Sequence, residues 1–286
     1  MTETEKEAIN KTIQFALDED LGDGDHTSLA TISDKASGEA IMLAKEEGIL
    51  AGAEVAKMVF MAVDADLQVE IYLKEGSPLK KGDPILKVMG KSQSILSAER
   101  TALNFIQRMS GIATFTHKVA SRIQGLNTKL LDTRKTTPAN RMVEKLAVKT
   151  GGGNNHRFGL YDMIMIKDNH VDFAGGIENA VKKTQEYLKQ KSKNLKIEVE
   201  VRNFYELDLI LQLNGIDRVM LDNFTPADLK KAVQLVDGRL ETEASGGISI
   251  DSIRDFAETG VDYISVGALT HQIKSLDISL KAVHQK

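Results

Sequence analysis

The stretch Ile197-Glu-Val-Glu-Val-Arg-Asn-Phe-Tyr-Glu-Leu-Asp-Leu-Ile-Leu-Gln-Leu-Asn-Gly-Ile-Asp-Arg-Val-Met-Leu-Asp222-Asn223 decides the fold. It holds two short apolar runs, Ile197 to Val201 and Arg218 to Leu221, separated by a segment of helical length. Each run stops on functional groups: Glu200 and Arg202 on the first, Asp222 and Asn223 on the second. Strand, helix and strand of this size are the repeating unit of a parallel sheet.

Working outward, the same texture begins after Gly125 and continues almost to the end of the chain. Four further runs, Lys129 to Leu131, Asp162 to Ile166, Leu240 to Ala244 and Tyr263 to Val266, bring the strands to six. They are followed by Asp132/Arg134/Lys135, Lys167/Asp168, Ser245/Gly246/Gly247 and Gly267. Polar and glycine residues gathered at the C-terminal ends of successive parallel strands point to a (β/α) barrel whose loops build the site on one face. With six strands counted, an incomplete barrel and a full one of eight strands both fit.

Residues 1–110 read differently, as a separate α/β domain. A helix is expected around Glu3 to Glu19, and short strands at Glu39 to Ala44, Leu67 to Leu73 and Pro84 to Val88, with turns at Glu75-Gly76 and Lys81-Gly82-Asp83. From Ser94 a long helix runs through Leu96, Leu103, Ile106 and Met109, with a break expected at Gly111. The barrel domain occupies 111–270. The segment 271–286 is expected to return to the first domain as an amphipathic helix, Ser275 to His284.

Composition narrows the function. At 286 residues, 42% hydrophobic and 27% charged, the chain is an ordinary globular protein. No run of eighteen apolar residues occurs, and Met1 to Lys11 lacks the pattern of a signal peptide, so a cytoplasmic setting is expected. With no cysteine, there are no disulfides, thiolate nucleophiles or Cys-ligated metals. A net charge of −4 argues against nucleic acid as a partner. Yet Asp132 to His170 holds seven Lys or Arg against four Asp or Glu, the local excess expected of a small-anion site.

The candidate residues lie in that region and beyond it. In Asp132-Thr-Arg-Lys-Thr-Thr-Pro138, the planar fork of Arg134 suits a carboxylate and the point charge of Lys135 suits pyrophosphate. Gly151-Gly-Gly-Asn-Asn-His-Arg157 places His156 and Arg157 after three glycines, a loop able to bring backbone close to a ligand. Lys167, directly after Met163-Ile-Met-Ile166, calls for an anion beside it, and His170 follows within the same turn. Glu200 and Asp222, at neighbouring strand ends, could pair with a site cation, hold ribose hydroxyls or, with phosphates present, hold Mg²⁺. Glu243-Ala-Ser-Gly-Gly-Ile248 and Val266-Gly-Ala268 end the last two strands and read as a phosphate cradle ahead of helix N-termini. Arg100 falls outside the apolar sector of its helix, which takes in Ile95, Leu96, Ala98, Ala102, Leu103, Phe105, Ile106 and Met109.

Taken together, Leu131 to Pro138, Gly151 to Arg157, Met165-Ile-Lys-Asp-Asn-His170, Glu198-Val-Glu200, Leu221-Asp-Asn223 and Glu243 to Ile248 resemble the quinolinate phosphoribosyltransferase family in order and spacing. The likeness begins at Glu19-Asp-Leu-Gly-Asp-Gly-Asp-His-Thr-Ser28 and runs to the end. One departure is Ala139, where a glycine is expected after Pro138. The resemblance implies an N-terminal α/β sandwich, an incomplete barrel and a homodimer with shared sites. It implies that Arg134, His156, Arg157 and Lys167, with Arg100 from the partner chain, bind quinolinate. Lys135, Lys167 and His170 would meet pyrophosphate, Glu200 and Asp222 ribose or Mg²⁺, and Ser245, Gly246, Gly247, Gly267 and Ala268 the 5′-phosphate. The residues by themselves also admit a same-fold pyrophosphorylase for another acceptor, a Schiff-base lyase using Lys167, and a non-catalytic sugar-phosphate binder.

Overall fold

The computed structural model describes residues 1–283. In chain order the elements are α1 (Glu3–Leu21), α2 (His26–Thr31), β1 (Ser37–Ala44), β2 (Gly48–Ile49), α3 (Ala53–Val63), β3 (Gln68–Ile71), β4 (Pro78–Leu79), β5 (Pro84–Lys91) and α4 (Ser92–Arg122). They continue as β6 (Lys129–Leu131), α5 (Arg141–Thr150), β7 (Ile164–Ile166), α6 (Asp168–Ala174), α7 (Ile177–Gln190), β8 (Ile197–Val201), α8 (Phe204–Leu211), β9 (Arg218–Asp222) and α9 (Pro226–Val236). The last are β10 (Glu241–Ser245), α10 (Ile253–Ala257), β11 (Tyr263–Ser265), α11 (Ala268–His271) and β12 (Ile278–Ala282). The chain divides into two compact units: residues 1–117, 136–152 and 269–286, and residues 118–135 and 153–268.

The first unit is built on a four-stranded antiparallel sheet in the order β12-β1-β5-β3. Helix α1 starts on a capping box, with the Thr2 hydroxyl taking the Glu5 N–H and the Glu5 carboxylate taking the Thr2 N–H. It buries Ile9, Ile13 and Leu17, which at four-residue spacing lie on one stripe, each worth about 1.5–3 kcal/mol relative to exposure. Within α4, Ile95, Ala98, Ala102, Leu103, Phe105, Ile106 and Met109 are buried as the helical spacing requires. Leu96 is 44% exposed, so the buried stripe is narrower than the sequence suggests.

Three expectations change in this unit. Helix α4 runs through Gly111 without a break. The glycine is there for close approach, because a Cβ at that position would run into the Lys274 carbonyl oxygen and lie 3.1 Å from the Ser275 Cα. Gly151 ends α5 and does not open toward a ligand, since its missing Cβ makes room for the Ala113 carbonyl and Thr116. The third change is at the C-terminus, where strand β12 replaces the expected helix; His284 lies outside the described residues. Leu276 and Ile278 are buried while Asp277 is exposed, so period two prevails, and Ile278 to Ala282 pair antiparallel with Ala44 to Ala40. The unpaired edge of β1 supplied hydrogen bonds that an isolated helix turn could not match with so short an apolar face.

The second unit is a six-stranded, all-parallel sheet in the order β6-β11-β10-β9-β8-β7. All six expected strands are present, two short of a closed eight-stranded barrel. Beyond β6 the edge continues as a single parallel bridge from Leu131 to Asn154. The strands alternate. Ile197, Val199, Val201, Val219, Leu221, Ala244 and Ile264 share one face, on which α8, α9 and α10 pack with Leu207, Ile210, Leu229, Ala232 and Ile253. Glu198 and Glu200, Arg218 and Asp222, and Glu241, Glu243 and Ser245 take the opposite face. In register, Glu198, Arg218 and Glu241 stand in one row. Strands buried on both sides normally read as continuous apolar runs, so this alternation marks a polar barrel interior.

Candidate active site

Six strand ends of the second unit carry candidate residues. Lys167 ends β7 and caps α6, its N–H donating to the Nδ1 of His170 at 3.0 Å. Its Nζ is ion-paired with the buried Glu200 on β8. On β9, the Asp222 carboxyl is pushed above its ordinary value by partial burial and then by the neighbouring charge of Glu200, while Lys167 pulls the other way. Lys167, Glu200 and Asp222 therefore form one electrostatic group on adjacent strands.

Next to them the cradle is assembled by Asn223. Its backbone has a positive φ of 58°, its N–H donates to the Ser245 carbonyl at 2.9 Å and its Nδ2 donates to the Asp222 carboxylate at 2.7 Å. Gly246 has φ 100°, and the Oδ1 of Asn223 occupies the space that a Cβ there would need. Gly247, with φ 61°, has nothing within 4 Å of its Cβ position. Gly267 leads directly into α11, which begins at Ala268, whereas α10 begins only at Ile253. The helix N-terminus expected directly after Gly246-Gly247 is thus displaced along the chain to Ile253.

His156 and Arg157 belong to a different part of the barrel. His156 is buried, its N–H donates to the Oδ1 of the fully buried Asp132 at 2.8 Å, and its Nε2 lies 3.1 Å from Glu198 and 3.2 Å from Glu243. Glu243 also receives Nη1 of Arg218 at 3.0 Å. Burial opposes a second proton on the imidazole and the two carboxylates favour one, which by themselves would draw the ring up to about 9; the contact at Nδ1 decides against it. A second ring proton would have to sit on Nδ1, where the N–H of Arg157 already donates at 2.6 Å. We therefore assign the Nε2–H tautomer, with Nδ1 as acceptor. The carboxyl of Glu198 is raised by burial and by Glu243 beside it, and that of Glu243 is lowered against its burial by His156 and Ser265.

The three groups His156, Glu198 and Glu243 have the donor types and spacing of a metal site. With Nε2 protonated the imidazole has no lone pair there for a cation, and Arg218 already neutralises Glu243. Glu200 and Asp222 offer a second, all-oxygen pair of carboxylates at neighbouring strand ends.

Arg157 is half-buried, and its Nη1 donates to the Met163 carbonyl at 3.2 Å. Burial lowers its proton affinity, as does the nearby charge of Arg134. It lines a cavity of about 270 Å³ together with His156, Asn155, Lys129, Arg218 and Tyr263. None of Lys167, Glu200, Asp222 and Ser245 lines this cavity. Arg134 and Lys135 are exposed on the loop after β6, where the Lys135 N–H donates to the Thr133 hydroxyl at 3.0 Å. Arg202 is taken up locally by Glu206, four residues on. Arg100 is exposed on α4 of the first unit.

Sequence reasoning passed over Asp132, Glu198, Glu243 and Arg218 as site residues. A signal was present: in Ile197-Glu-Val-Glu-Val201, period two puts Glu198 on the face of Glu200.

Two family models cover nearly the whole chain: the quinolinate phosphoribosyl transferase N-terminal domain matches residues 25–110 and the C-terminal domain residues 112–281. A Nicotiana tabacum protein named quinolinate phosphoribosyltransferase [decarboxylating] 1b is 46% identical, over 96% of this chain and 82% of its own length. A chloroplastic, carboxylating nicotinate-nucleotide pyrophosphorylase of Arabidopsis thaliana is 47% identical over the same shares. The solved nicotinate-nucleotide pyrophosphorylase of Francisella tularensis superposes with a TM-score of 0.89 at 41% identity, covering 97% of this chain and 96% of its own. This chain belongs to the quinolinate phosphoribosyltransferase family.

Proposed function

We propose that the chain transfers the phosphoribosyl group of phosphoribosyl pyrophosphate to quinolinate with decarboxylation. The products are nicotinate mononucleotide, pyrophosphate and CO₂, a step of NAD biosynthesis. The observation that carries this is the strand-end group Lys167–Glu200–Asp222–Asn223–Gly246 in a chain 46–47% identical to relatives named for the reaction.

The reaction asks the protein for position and electrostatics more than for covalent help. Ser245, Gly246, Gly247, Gly267 and Ala268 hold the 5′-phosphate through backbone and hydroxyl. Lys135, Lys167 and His170 face the departing pyrophosphate, and Glu200 and Asp222 hold ribose hydroxyls. As the C1–O bond to pyrophosphate breaks, the pyridine nitrogen of quinolinate bonds to C1. The nitrogen is then cationic and takes up the electron pair left when the adjacent carboxylate departs as CO₂. The ring carbon is protonated afterwards. Arg134 and Arg157, with Arg100 of the partner chain, grip the carboxylate that is retained; the one that leaves is held less tightly.

Mg²⁺ fits this donor set. Glu200 and Asp222 offer oxygen only, and the upward displacement of Asp222 by burial and by Glu200 reports two carboxylates crowded together, which a divalent cation relieves. Bound there with its water shell, the ion would supply positive charge to the pyrophosphate. A homodimer is supported by the apolar groups exposed on the barrel unit, among them Phe173 at 92%, Leu160, Tyr161 and Tyr205. Among the described residues no helix is long and apolar enough to cross a membrane, and a cytoplasmic setting accompanies this reading.

Incubation with quinolinate, phosphoribosyl pyrophosphate and Mg²⁺ should yield nicotinate mononucleotide. Nicotinate should substitute poorly, because dropping one carboxylate leaves buried cations unpaired at about 2–5 kcal/mol. Equal use of nicotinate would sink the site assignment. Borohydride with substrate should trap nothing on Lys167, as its ion pair with Glu200 presents an ammonium and not a nucleophilic amine.

A further inference from the structure

The reading above gives Arg157 a substrate role but leaves unused the group beneath it: two carboxylates with essentially no exposure, Glu198 and Glu243, an imidazole and a guanidinium. Such groups in a barrel interior are costly unless each is satisfied, and replacing them by apolar residues would often be neutral or better for stability. Their connections run to Arg157. Arg218 meets Glu243 at 3.0 Å, Glu243 and Glu198 both meet the Nε2 of His156, and the Nδ1 of His156 accepts the N–H of Arg157. The His156 N–H, meanwhile, is held by Asp132, at the root of the loop that carries Arg134 and Lys135. One imidazole therefore joins the two loops that carry the carboxylate-binding arginines.

We propose that Arg218, Glu243, Glu198 and His156 form a positioning cluster that fixes the imidazole in one tautomer and thereby aims Arg157 at the quinolinate carboxylate. The inference rests on the proposed function. Only the Nε2–H tautomer presents an acceptor to the Arg157 amide, and Glu243, held ionised by Arg218, selects it. Glu198, packed against the same nitrogen and beside Glu243, completes the cluster. Glu243 and His156 are positioning residues in this scheme; none of the four touches the reacting atoms.

The test is steady-state kinetics on the full-length protein, with wild type making nicotinate mononucleotide as the control. Absence of that product from wild type would tell against the proposed function and not against the cluster. Glu243→Gln should raise KM for quinolinate about tenfold or more, the size usual for support residues behind a ligand-binding side chain, with KM for phosphoribosyl pyrophosphate unchanged. Glu198→Ala should do the same, and Glu198→Gln, which keeps the size of the side chain and an acceptor oxygen for Nε2–H, should restore KM. Equal rises in both KM values, or a loss confined to kcat, would overturn the positioning role. Glu198→Gln as impaired as Glu198→Ala would overturn the role given to Glu198. Should the Glu243 variant fail to fold, long-range ¹H–¹⁵N spectra of the wild type decide: Nδ1 of His156 must be unprotonated at neutral pH, and a proton there refutes the scheme.

Discussion

Asn223 fills the space beside Gly246: its Oδ1 sits where a Cβ on the glycine would be, and its N–H holds the carbonyl of the preceding Ser245 at 2.9 Å. Since Gly246 also has φ 100°, any side chain there must strain the backbone and displace Asn223, which orients Asp222 at 2.7 Å. Gly246→Ala should therefore raise KM for phosphoribosyl pyrophosphate by about tenfold or more, with quinolinate binding retained. Calorimetry with each substrate separates the two; weakened quinolinate binding alone would place the cradle elsewhere.

Ala139 carries the penalty that a glycine would avoid. The Thr137 carbonyl accepts the Asn140 N–H at 3.1 Å, Pro138 follows Thr137, and Ala139 has φ 61°, the pattern of a type II turn. The departure from the family pattern noted in the sequence is therefore a strained residue in a turn that favours glycine. Ala139→Gly should stabilise the protein by about 1 kcal/mol. Thermal unfolding checks it, and a lower melting temperature would contradict it.

Half-buried Arg108 pairs with buried Glu144 in the first unit, its Nε and Nη2 at 2.9 and 2.8 Å from a carboxylate of no exposure. The same carboxylate takes the Thr137 N–H at 3.2 Å, so the pair anchors the segment leading from Lys135 into α5. Arg108→Met should cost about 3–5 kcal/mol, because it strands a charge in the interior. Denaturant unfolding measures this; a cost under about 1 kcal/mol would mean that solvent reaches Glu144.

Asp222 is kept in a position that disfavours its ionised form. Its folded value is raised, by burial and then by Glu200, so between the ordinary carboxylate value of about 4 and the folded value the native state binds more protons than the unfolded one. Stability should accordingly fall as pH rises through that window in metal-free buffer. Asp222→Asn should flatten this part of the profile, raise the melting temperature at neutral pH and abolish activity. A variant no more stable than wild type at neutral pH would contradict the assignment.

Arg100 and Lys167 should complement one another across a dimer. If each site takes Lys167 from one chain and Arg100 from the other, Arg100→Ala and Lys167→Ala homodimers should both be nearly inactive. Equal mixing makes about half the dimers mixed, each with one intact site, so activity should return to about a quarter of wild type. With exchange verified by mass spectrometry, no recovery would mean that Arg100 does not serve a neighbour's site.

Much of this protein was settled locally. The six barrel strands were legible because each is a short apolar run bounded by turn residues, and Lys167, Glu200, Asp222 and Gly246 because strand ends in such a sheet converge on one face. Tertiary structure decided what local pattern leaves open. Leu276, Ile278 and Leu280 fit one face of a strand, and Leu276 with Leu280 also fits a helix; the free edge of β1, more than two hundred residues earlier, chose the strand. Gly151 and Gly111 looked like loop or hinge residues until main chain from elsewhere was found against them. The resemblance made His156 a substrate ligand; the structure buries it beside the cavity that Arg157 lines, where Glu198 and Glu243 meet it from two other strands and Arg218 meets Glu243 from a third.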